Sequence, residues 1–247
     1  MPETWFPFRS AAPNARLRLA CFAHAGGGAS AFREWARLLP PWIEVVAVQL
    51  PGHETRLREP VVDDVMQLAP RLASAVTELP ELPLALYGHS YGAALAHALA
   101  RELEAGGAPL LRLFLAGGEA PHTLRTTPLS YTRSDDELVA RLLGIGGTPG
   151  QLFDDPGLRA LFLPVLRADL KAAETYKVPA DARVAAPFSI LAGTRDEAVE
   201  RPRLERWPEL SSGASSLHWF DGTHFFPRER RAEVLARISA DLGEDLR

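Results

Sequence analysis

Short apolar runs alternate along the chain with longer stretches whose apolar residues recur every three or four positions. The runs predict β-strands at 17–23, 43–50, 84–88, 111–116, 188–192 and 216–220. Several are apolar on both faces, as in parallel strands that helices cover on each side. The longer stretches predict helices at 31–39, 62–79, 91–104 and 228–242, with a kink or break at Pro70 in the second. This alternation predicts an α/β fold with a mostly parallel, doubly wound sheet.

One segment interrupts the alternation. About seventy residues separate the strand that ends at Ala116 from the next, more than a single crossover helix needs. Ser134 and the acidic residues after it predict a helix start, and an apolar stripe at helical spacing, interrupted by Pro164, follows over 158–170. We interpret 121–180 as a helical insertion that forms a lid over one end of the sheet, although an ordinary packed subdomain would show the same stripe. The core would then comprise 1–120 and 181–247.

Composition narrows the class of protein. A length of 247 residues fits one large α/β domain, and a net charge of −4 without basic runs argues against a nucleic-acid partner. The single cysteine, Cys21, cannot form an internal disulfide, and no window is long and apolar enough for a membrane span. Residues 1–10 lack the pattern of a signal peptide. We therefore expect a cytoplasmic protein with no membrane partner.

The strongest chemical signal is a G-x-S-x-G sequence at 88–92, which follows the predicted strand 84–88 and precedes the helix 91–104. In this context the serine lies on a tight strand-to-helix turn, where the glycines allow close backbone approach and the hydroxyl projects at the carboxyl end of the sheet. A plain glycine-rich turn would give the same letters. The strand before and the helix after favour Ser90 as a nucleophile.

A serine hydroxyl needs a general base, and in folds with this turn the acid and the histidine follow the serine in the chain. His224 lies in a loop directly after the last predicted strand, which is the expected position of the base. For the other six histidines we expect structural roles: His24, His53, His89, His97, His122 and His218.

The acid is expected on a loop after a late strand, where it holds the imidazole tautomer. Asp196 follows the predicted strand 188–192 at the right distance. Asp221 is a rival but lies only three residues before His224, and Asp181 precedes the strand. Asp196 is therefore the favoured acid.

Acyl transfer also needs hydrogen-bond donors for an oxyanion. The sequence HAGGG at 24–28 follows the first predicted strand and resembles the glycine-rich element that supplies one backbone amide in lipases and esterases. The expected donors are the amides of Ala25 and Tyr91. Such a turn could instead cradle phosphate, but it lacks the Walker lysine and does not match G-x-G-x-x-G. The spacing of Cys and His residues is not typical of a metal site.

The chain resembles the type II thioesterases that accompany polyketide synthases and nonribosomal peptide synthetases. The resemblance covers nearly the whole length. The stretches that carry it are 21–27, Phe32, Trp35, 39–40, 48–52, Glu54, Arg56, 59–60, 146–149, 163–164, 166–169 and 174–176.

This resemblance implies the α/β-hydrolase fold, a catalytic triad of Ser90, Asp196 and His224, and an oxyanion hole made by Ala25 and Tyr91. It also implies that 121–180 is a mobile lid. The implied substrate is an acyl thioester on the phosphopantetheine arm of an acyl or peptidyl carrier protein, and the implied role is editing of stalled chains. No cofactor is implied, because pantetheine is part of the substrate. The carrier protein is the expected partner, and we expect a monomer.

Two positions depart from the family pattern. Tyr91 stands where the family usually has methionine, and His53 where it usually has arginine. Both changes bear on the acyl pocket and leave the triad intact. The same triad would also serve a small-molecule carboxylesterase or lipase, or an acyltransferase or cyclase. A non-catalytic carrier-binding module that kept the fold is a further alternative, and the intact triad with its oxyanion elements argues against it.

Overall fold

A mostly parallel sheet forms the centre of the computed structural model, which describes residues 2–9, 12–147 and 150–247. Within these residues the sheet has seven strands in the order β1-β3-β2-β4-β5-β6-β7, and only β1 runs antiparallel to its neighbour. The strands are β1 Phe8–Arg9, β2 Leu17–Phe22, β3 Ile43–Ala47, β4 Leu84–His89, β5 Leu110–Ala116, β6 Phe188–Gly193 and β7 Ser215–Phe220.

All six predicted strands are confirmed, with ends that differ by a few residues. The largest difference is in β3, which ends at Ala47 rather than at 50. There the amide of Gln49 bonds to the carbonyl of Trp5 instead of continuing the parallel ladder with β2. The sequence pattern did not indicate β1, because a strand of two residues has no measurable alternation.

Helices cover both faces of the sheet. Their bounds are α1 Pro2–Trp5, α2 Trp35–Leu38, α3 Val65–Thr77, α4 Tyr91–Ala105, α5 Asp135–Ile145, α6 Gln151–Asp154, α7 Pro156–Thr175, α8 Arg201–Leu204, α9 Phe226–Glu229 and α10 Arg231–Asp245. Short 3₁₀ turns occupy Ala29–Phe32, Glu54–Arg56, Ser130–Thr132 and Trp207–Leu210.

The helix predictions are confirmed for α3 and α4 and are only partly right for two others. Pro70 lies inside α3 without splitting it, on the exposed side of the helix. The predicted helix 31–39 is instead a 3₁₀ turn followed by α2. The predicted helix 228–242 is divided at Arg230 into α9 and α10, since Arg230 has the non-helical dihedrals φ −115° and ψ 36°.

Alternate residues of the strands enter two separate apolar layers, as expected for a sheet covered on both sides. In β4, for example, Leu86 faces the layer that contains α3 and α4, while Tyr87 faces the layer that contains α2 and α10. All residues of β2, β3 and β6 are buried. The burial leaves the loops at the carboxyl ends of the parallel strands as the accessible edge of the sheet.

The segment between β5 and β6 carries helices α5, α6 and α7. Ser134 caps α5 and forms a capping box with Glu137, as the acidic start predicted. Pro164 lies within α7 and does not end it. A small apolar cluster, distinct from the two main layers, joins these helices through Leu138, Phe153, Leu163 and Leu166. Thr148 and Pro149, part of the motif at 146–149, lie outside the described residues.

The carboxyl half of α7 belongs to the body of the protein. Ala172 and Tyr176 join the apolar layer that contains α4, and the carboxylate of buried Glu174 accepts hydrogen bonds from the amides of Ser130 and Tyr131. No helix in the described ranges is long and apolar enough to cross a membrane.

Candidate active site

Ser90 lies at the tight turn between β4 and α4, where the G-x-S-x-G sequence places it. Its backbone has φ 56° and ψ −113°, a conformation that residues with a side chain rarely adopt. The turn is held by hydrogen bonds from the Ser90 amide to the carbonyl of Ala116, at 2.7 Å, and from the Ala93 amide to the carbonyl of Ser90, at 2.9 Å. Strain of this kind, fixed by surrounding bonds, presents the hydroxyl at the carboxyl end of the sheet.

The glycines of the motif are needed for close backbone packing. A Cβ at Gly88 would overlap the carbonyl of Gly92, and a Cβ at Gly92 would overlap the carbonyl of Phe22 in β2. Strand β2, the turn at Ser90 and α4 therefore pack too closely to admit side chains at these two glycines. This close packing fixes the position of Ser90.

Asp196 and His224 are brought together by the loops after β6 and β7. The imidazole Nδ1 lies 2.9 Å from Asp196 Oδ2, and both side chains are almost fully buried. The other carboxylate oxygen of Asp196 accepts the amide of Ala198 at 2.9 Å. Because a carboxylate only accepts hydrogen bonds, Nδ1 carries a proton in this arrangement, and the lone pair of Nε2 is left for a hydroxyl.

The rival acids lie elsewhere. Asp221 forms surface ion pairs with Arg195 and Arg230, the second at 3.0 Å. Asp181 is exposed in the turn before β6. Among the three candidate acids, only Asp196 has an imidazole partner among the described residues.

His89 packs against His224, and His24 packs against His89 on its other side. His89 Nε2 donates to the carbonyl of His224 at 2.8 Å, and the His89 ring lies 5.1 Å from the His224 ring and 5.4 Å from the His24 ring. Burial, with the positive charge that His224 and Arg228 would add, lowers the pKa of His24 to about 4. Burial and the neighbouring His224 and His24 lower the pKa of His89 well below its ordinary value. Both rings are neutral near pH 7 and hold the loop of His224 without adding charge.

The two predicted oxyanion donors face the same cavity as Ser90 and His224. Neither the amide of Ala25 nor that of Tyr91 donates a hydrogen bond to another described residue. Tyr91 is the first residue of α4, so its amide lies at the positive end of the helix dipole. Both amides are therefore available to an oxygen that becomes negative in the cavity.

The helices of the insertion form the opposite wall of this cavity. Apolar side chains from α5 and α7 line it: Leu138, Leu142, Ile145, Leu170 and Ala173. At one side the lining is charged, with Glu119, Glu174, Arg125, Lys177 and Arg203. Arg125 and Arg203 share the carboxylate of Glu119, while Lys177 Nζ donates, among the described residues, only to the carbonyl of Thr123, at 3.3 Å.

The remaining histidines have partners away from Ser90. His97 Nδ1 bonds to the Tyr176 hydroxyl at 2.9 Å, His122 to Glu209 at 3.0 Å and His218 to Ser216 at 2.9 Å. In the described part of the chain, no group of three or more His, Cys, Asp or Glu side chains could hold a metal ion.

One pair near the site was missed by sequence reasoning. His53 bonds to Asp169 of α7, and Asp169 also accepts the amide of Gly26, next to Ala25. These residues are 116 and 143 positions apart, so no local spacing links them. The sequence offered two separate signals, the departure at His53 and the family stretch 166–169 that contains Asp169, and neither indicated the contact between them.

Comparison with known proteins agrees with the geometry. The family model described as "Thioesterase domain" matches residues 17–242. The "Probable cadicidin biosynthesis thioesterase" of Streptomyces griseus is 36% identical over 229 residues, which make up 93% of this chain and 63% of that protein, so the chain spans less than two thirds of its length. The "Gramicidin S biosynthesis protein GrsT" of Aneurinibacillus migulanus is 32% identical over 232 residues, or 94% of this chain and 91% of that one.

A solved structure extends the likeness to three dimensions. The type II thioesterase BorB from the borrelidin biosynthetic cluster is 37% identical and superposes with a TM-score of 0.84, over 93% of this chain and 94% of that chain. Because the family model covers most of the sequence and relatives above 30% identity align along nearly all of it, this chain belongs to the thioesterase domain family, and its sheet is that of the α/β-hydrolase fold.

Proposed function

We propose that the chain is an editing type II thioesterase, which hydrolyses acyl thioesters from the phosphopantetheine arm of carrier proteins in polyketide or nonribosomal peptide biosynthesis. The observation that carries the proposal is the convergence of a strained Ser90 and the Asp196–His224 pair on one cavity, in a chain of the thioesterase family. The relatives cited above are named for cadicidin, gramicidin S and borrelidin biosynthesis, and a further similar structure, YbtT, is a type II thioesterase from the yersiniabactin NRPS/PKS pathway.

The reaction proceeds through an acyl-serine. His224 Nε2 accepts the hydroxyl proton as Ser90 Oγ attacks the thioester carbonyl, and the amides of Ala25 and Tyr91 stabilise the oxyanion. The C–S bond breaks, and the proton on His224 passes to the departing sulfur. His224 then takes a proton from water, which attacks the acyl-Ser90 ester and returns the serine. The products are a carboxylic acid and the free pantetheine thiol, and no cofactor takes part.

Asp196 keeps the imidazole of His224 in the required tautomer and stabilises the imidazolium that forms twice in each cycle. The insertion, residues 121–180, acts as the lid. Its apolar wall contacts the acyl chain. Its small separate apolar cluster lets α5 and α6 move, while the carboxyl half of α7 stays packed in a main layer.

The proposed partner is an acyl or peptidyl carrier protein, and the chain is proposed to act as a monomer. The lid surface offers such a partner mixed charge rather than a basic patch, because Arg159, Arg167 and Lys171 each form an ion pair with an aspartate. Recognition of the pantetheine arm and acyl group inside the cavity would then contribute more than surface charge.

The test is turnover of one acyl group in three forms: on a carrier protein, on free pantetheine and as a nitrophenyl oxyester. We expect the carrier-bound thioester to be hydrolysed fastest, with loss of at least about 10³-fold in kcat for Ser90→Ala. Product analysis separates hydrolysis from transfer to an alcohol or amine. Rapid turnover of oxyesters with no turnover of carrier-bound thioesters would replace the proposal by a general esterase, and thioester turnover that survives Ser90→Ala would remove Ser90 from the mechanism.

A further inference from the structure

A buried carboxylate on α7 connects three segments around the site. Asp169 is 1% exposed, and its Oδ2 accepts the amide of Gly26 at 2.7 Å and the Nε2–H of His53 at 2.8 Å. Gly26 belongs to the loop after β2 that carries Ala25. His53 belongs to the loop after β3. A single oxygen of the insertion therefore holds both loops.

The hydrogen bonds of His53 fix its charge. Nε2 faces the Asp169 carboxylate, and Nδ1 faces the carbonyl of Pro51 at 3.0 Å. Both partners accept hydrogen bonds, so this geometry favours a proton on each ring nitrogen, the imidazolium form of His53. Burial alone would lower the pKa of His53, but the hydrogen bond and charge of Asp169, with smaller effects of Pro51 and Glu54, raise it above the ordinary value.

The anchored amide is next to the proposed oxyanion donor. Gly26 has φ +74°, and a Cβ there would overlap the side chain of Leu166, which is one turn before Asp169 on α7. With the Gly26 amide held by Asp169, the peptide after Ala25 has a fixed orientation. Ala25, one peptide earlier, lines the cavity, and a displacement of its amide by about 1 Å would remove most of its stabilisation of an oxyanion there.

We infer that Asp169, paired with His53, is a positioning residue that fixes the Ala25 amide in the oxyanion hole and makes its geometry depend on the docking of α7. The inference rests on the proposed function, because it takes Ala25 as an oxyanion donor. It predicts a defect in transition-state stabilisation rather than in substrate binding.

The first test removes the carboxylate. Asp169→Ala leaves the Gly26 amide without its acceptor, and we expect kcat to fall about 30- to 100-fold with KM within about threefold. Asp169→Asn retains an oxygen that can accept this amide and should recover at least about tenfold of the loss. The matched control is Asp63→Ala, which removes the ion-pair partner of Lys171. Lys171 lies on α7, as Asp169 does, and the control should leave kcat unchanged.

The second test reads the oxyanion hole directly. A trifluoromethyl ketone analogue of the thioester forms an oxyanion on Ser90, whereas a thioether analogue without a carbonyl binds only as the substrate does. Asp169→Ala should weaken the ketone by about the factor lost in kcat and leave the thioether within about threefold. The inference would be overturned if both analogues bound more weakly by the same factor, or if the binding of neither changed.

The third test concerns the cation and does not depend on Asp169 variants being folded. His53→Arg keeps a positive charge and should retain kcat within about threefold, whereas His53→Leu should show the ketone-selective defect. Equal activity of the two variants would overturn the inference. If wild-type turnover depends on Ser90 but Asp169→Ala keeps the full kcat, the inference is rejected and the proposed function stands. Absence of any Ser90-dependent thioester turnover would instead reject the proposed function.

Discussion

At the scale of single residues, Asp196 and Asp221 provide a matched pair of acids. Both lie near the loops after β6 and β7, but only Asp196 contacts His224 Nδ1, at 2.9 Å. Asp196→Asn would present an amide that can stabilise the wrong tautomer, so we expect kcat to fall by about 10³- to 10⁴-fold. The measurement is single-turnover hydrolysis of an acyl-pantetheine thioester at saturating substrate.

The control for this prediction is Asp221→Asn, which breaks surface ion pairs with Arg195 and Arg230. Exposed pairs contribute little to stability, so activity should stay within about twofold of wild type. A large loss in Asp221→Asn with a small loss in Asp196→Asn would reverse the assignment of the acid.

The residues of the predicted triad could be chosen from the sequence because each lies just after a strand. The order of serine, acid and histidine, together with the parallel sheet, predicts that the three candidates lie at one edge of the sheet. Asp169 and His53 could not be found this way. Their contact depends on how α7 packs over two loops, and helix packing of this kind leaves no short-range pattern in the chain.

At the scale of elements, α5 is held to the rest of the protein by few contacts. Leu138 is its only buried residue among those described, and its start depends on the cap at Ser134. Ser134→Ala should cost about 1 kcal/mol of local stability, which corresponds to roughly fivefold faster amide exchange. The effect should be confined to residues 135–145, since α4 and the sheet do not depend on this cap.

Hydrogen-exchange mass spectrometry checks this prediction, with Ser134→Thr as the control that keeps the capping oxygen. Exchange in 135–145 that is the same in Ser134→Ala and wild type would mean that α5 opens only with the whole domain. The insertion would then be an ordinary packed subdomain and not a lid.

The elements also show where hydrophobic periodicity is insufficient. The pattern at 228–242 continues through Arg230, but the backbone leaves the helical conformation there, and the Arg230 guanidinium bonds to the carbonyl of Asp221 at 2.7 Å. Conversely, Pro164 indicated an interruption that α7 does not have. In both cases the pattern identified the helical segment but did not predict where the helix is continuous.

At the scale of the whole molecule, the buried histidines make stability depend on pH. His97 lies on the buried side of α4 and packs against Tyr176 and Trp207. Its Nε2 has no partner among the described residues. Burial, with the charges of Arg101 and His122, lowers its pKa to about 3. His24 and His89 are also held neutral, as described above. At acidic pH these three rings bind protons in the unfolded chain but not in the folded chain. Protonation then stabilises the unfolded state and opposes folding.

A histidine whose folded pKa lies below its unfolded value of about 6.5 contributes stability above pH 6.5, and that contribution is lost as the pH falls toward the folded pKa. For His97 the window is from about 6.5 down to about 3, and the loss is about 1.4 kcal/mol for each pH unit below 6. We expect the free energy of unfolding to fall steeply from pH 6 to pH 4.5.

His97→Asn keeps a polar atom near the Tyr176 hydroxyl and should be less stable at pH 7 because the ring is lost. Its free energy of unfolding should fall less steeply with pH than that of wild type, by about 1.4 kcal/mol per pH unit. Tyr176→Phe keeps the buried imidazole and should retain the wild-type slope. Urea unfolding at several pH values measures all three slopes, and an unchanged slope in His97→Asn would mean that His97 takes up its proton in the folded protein.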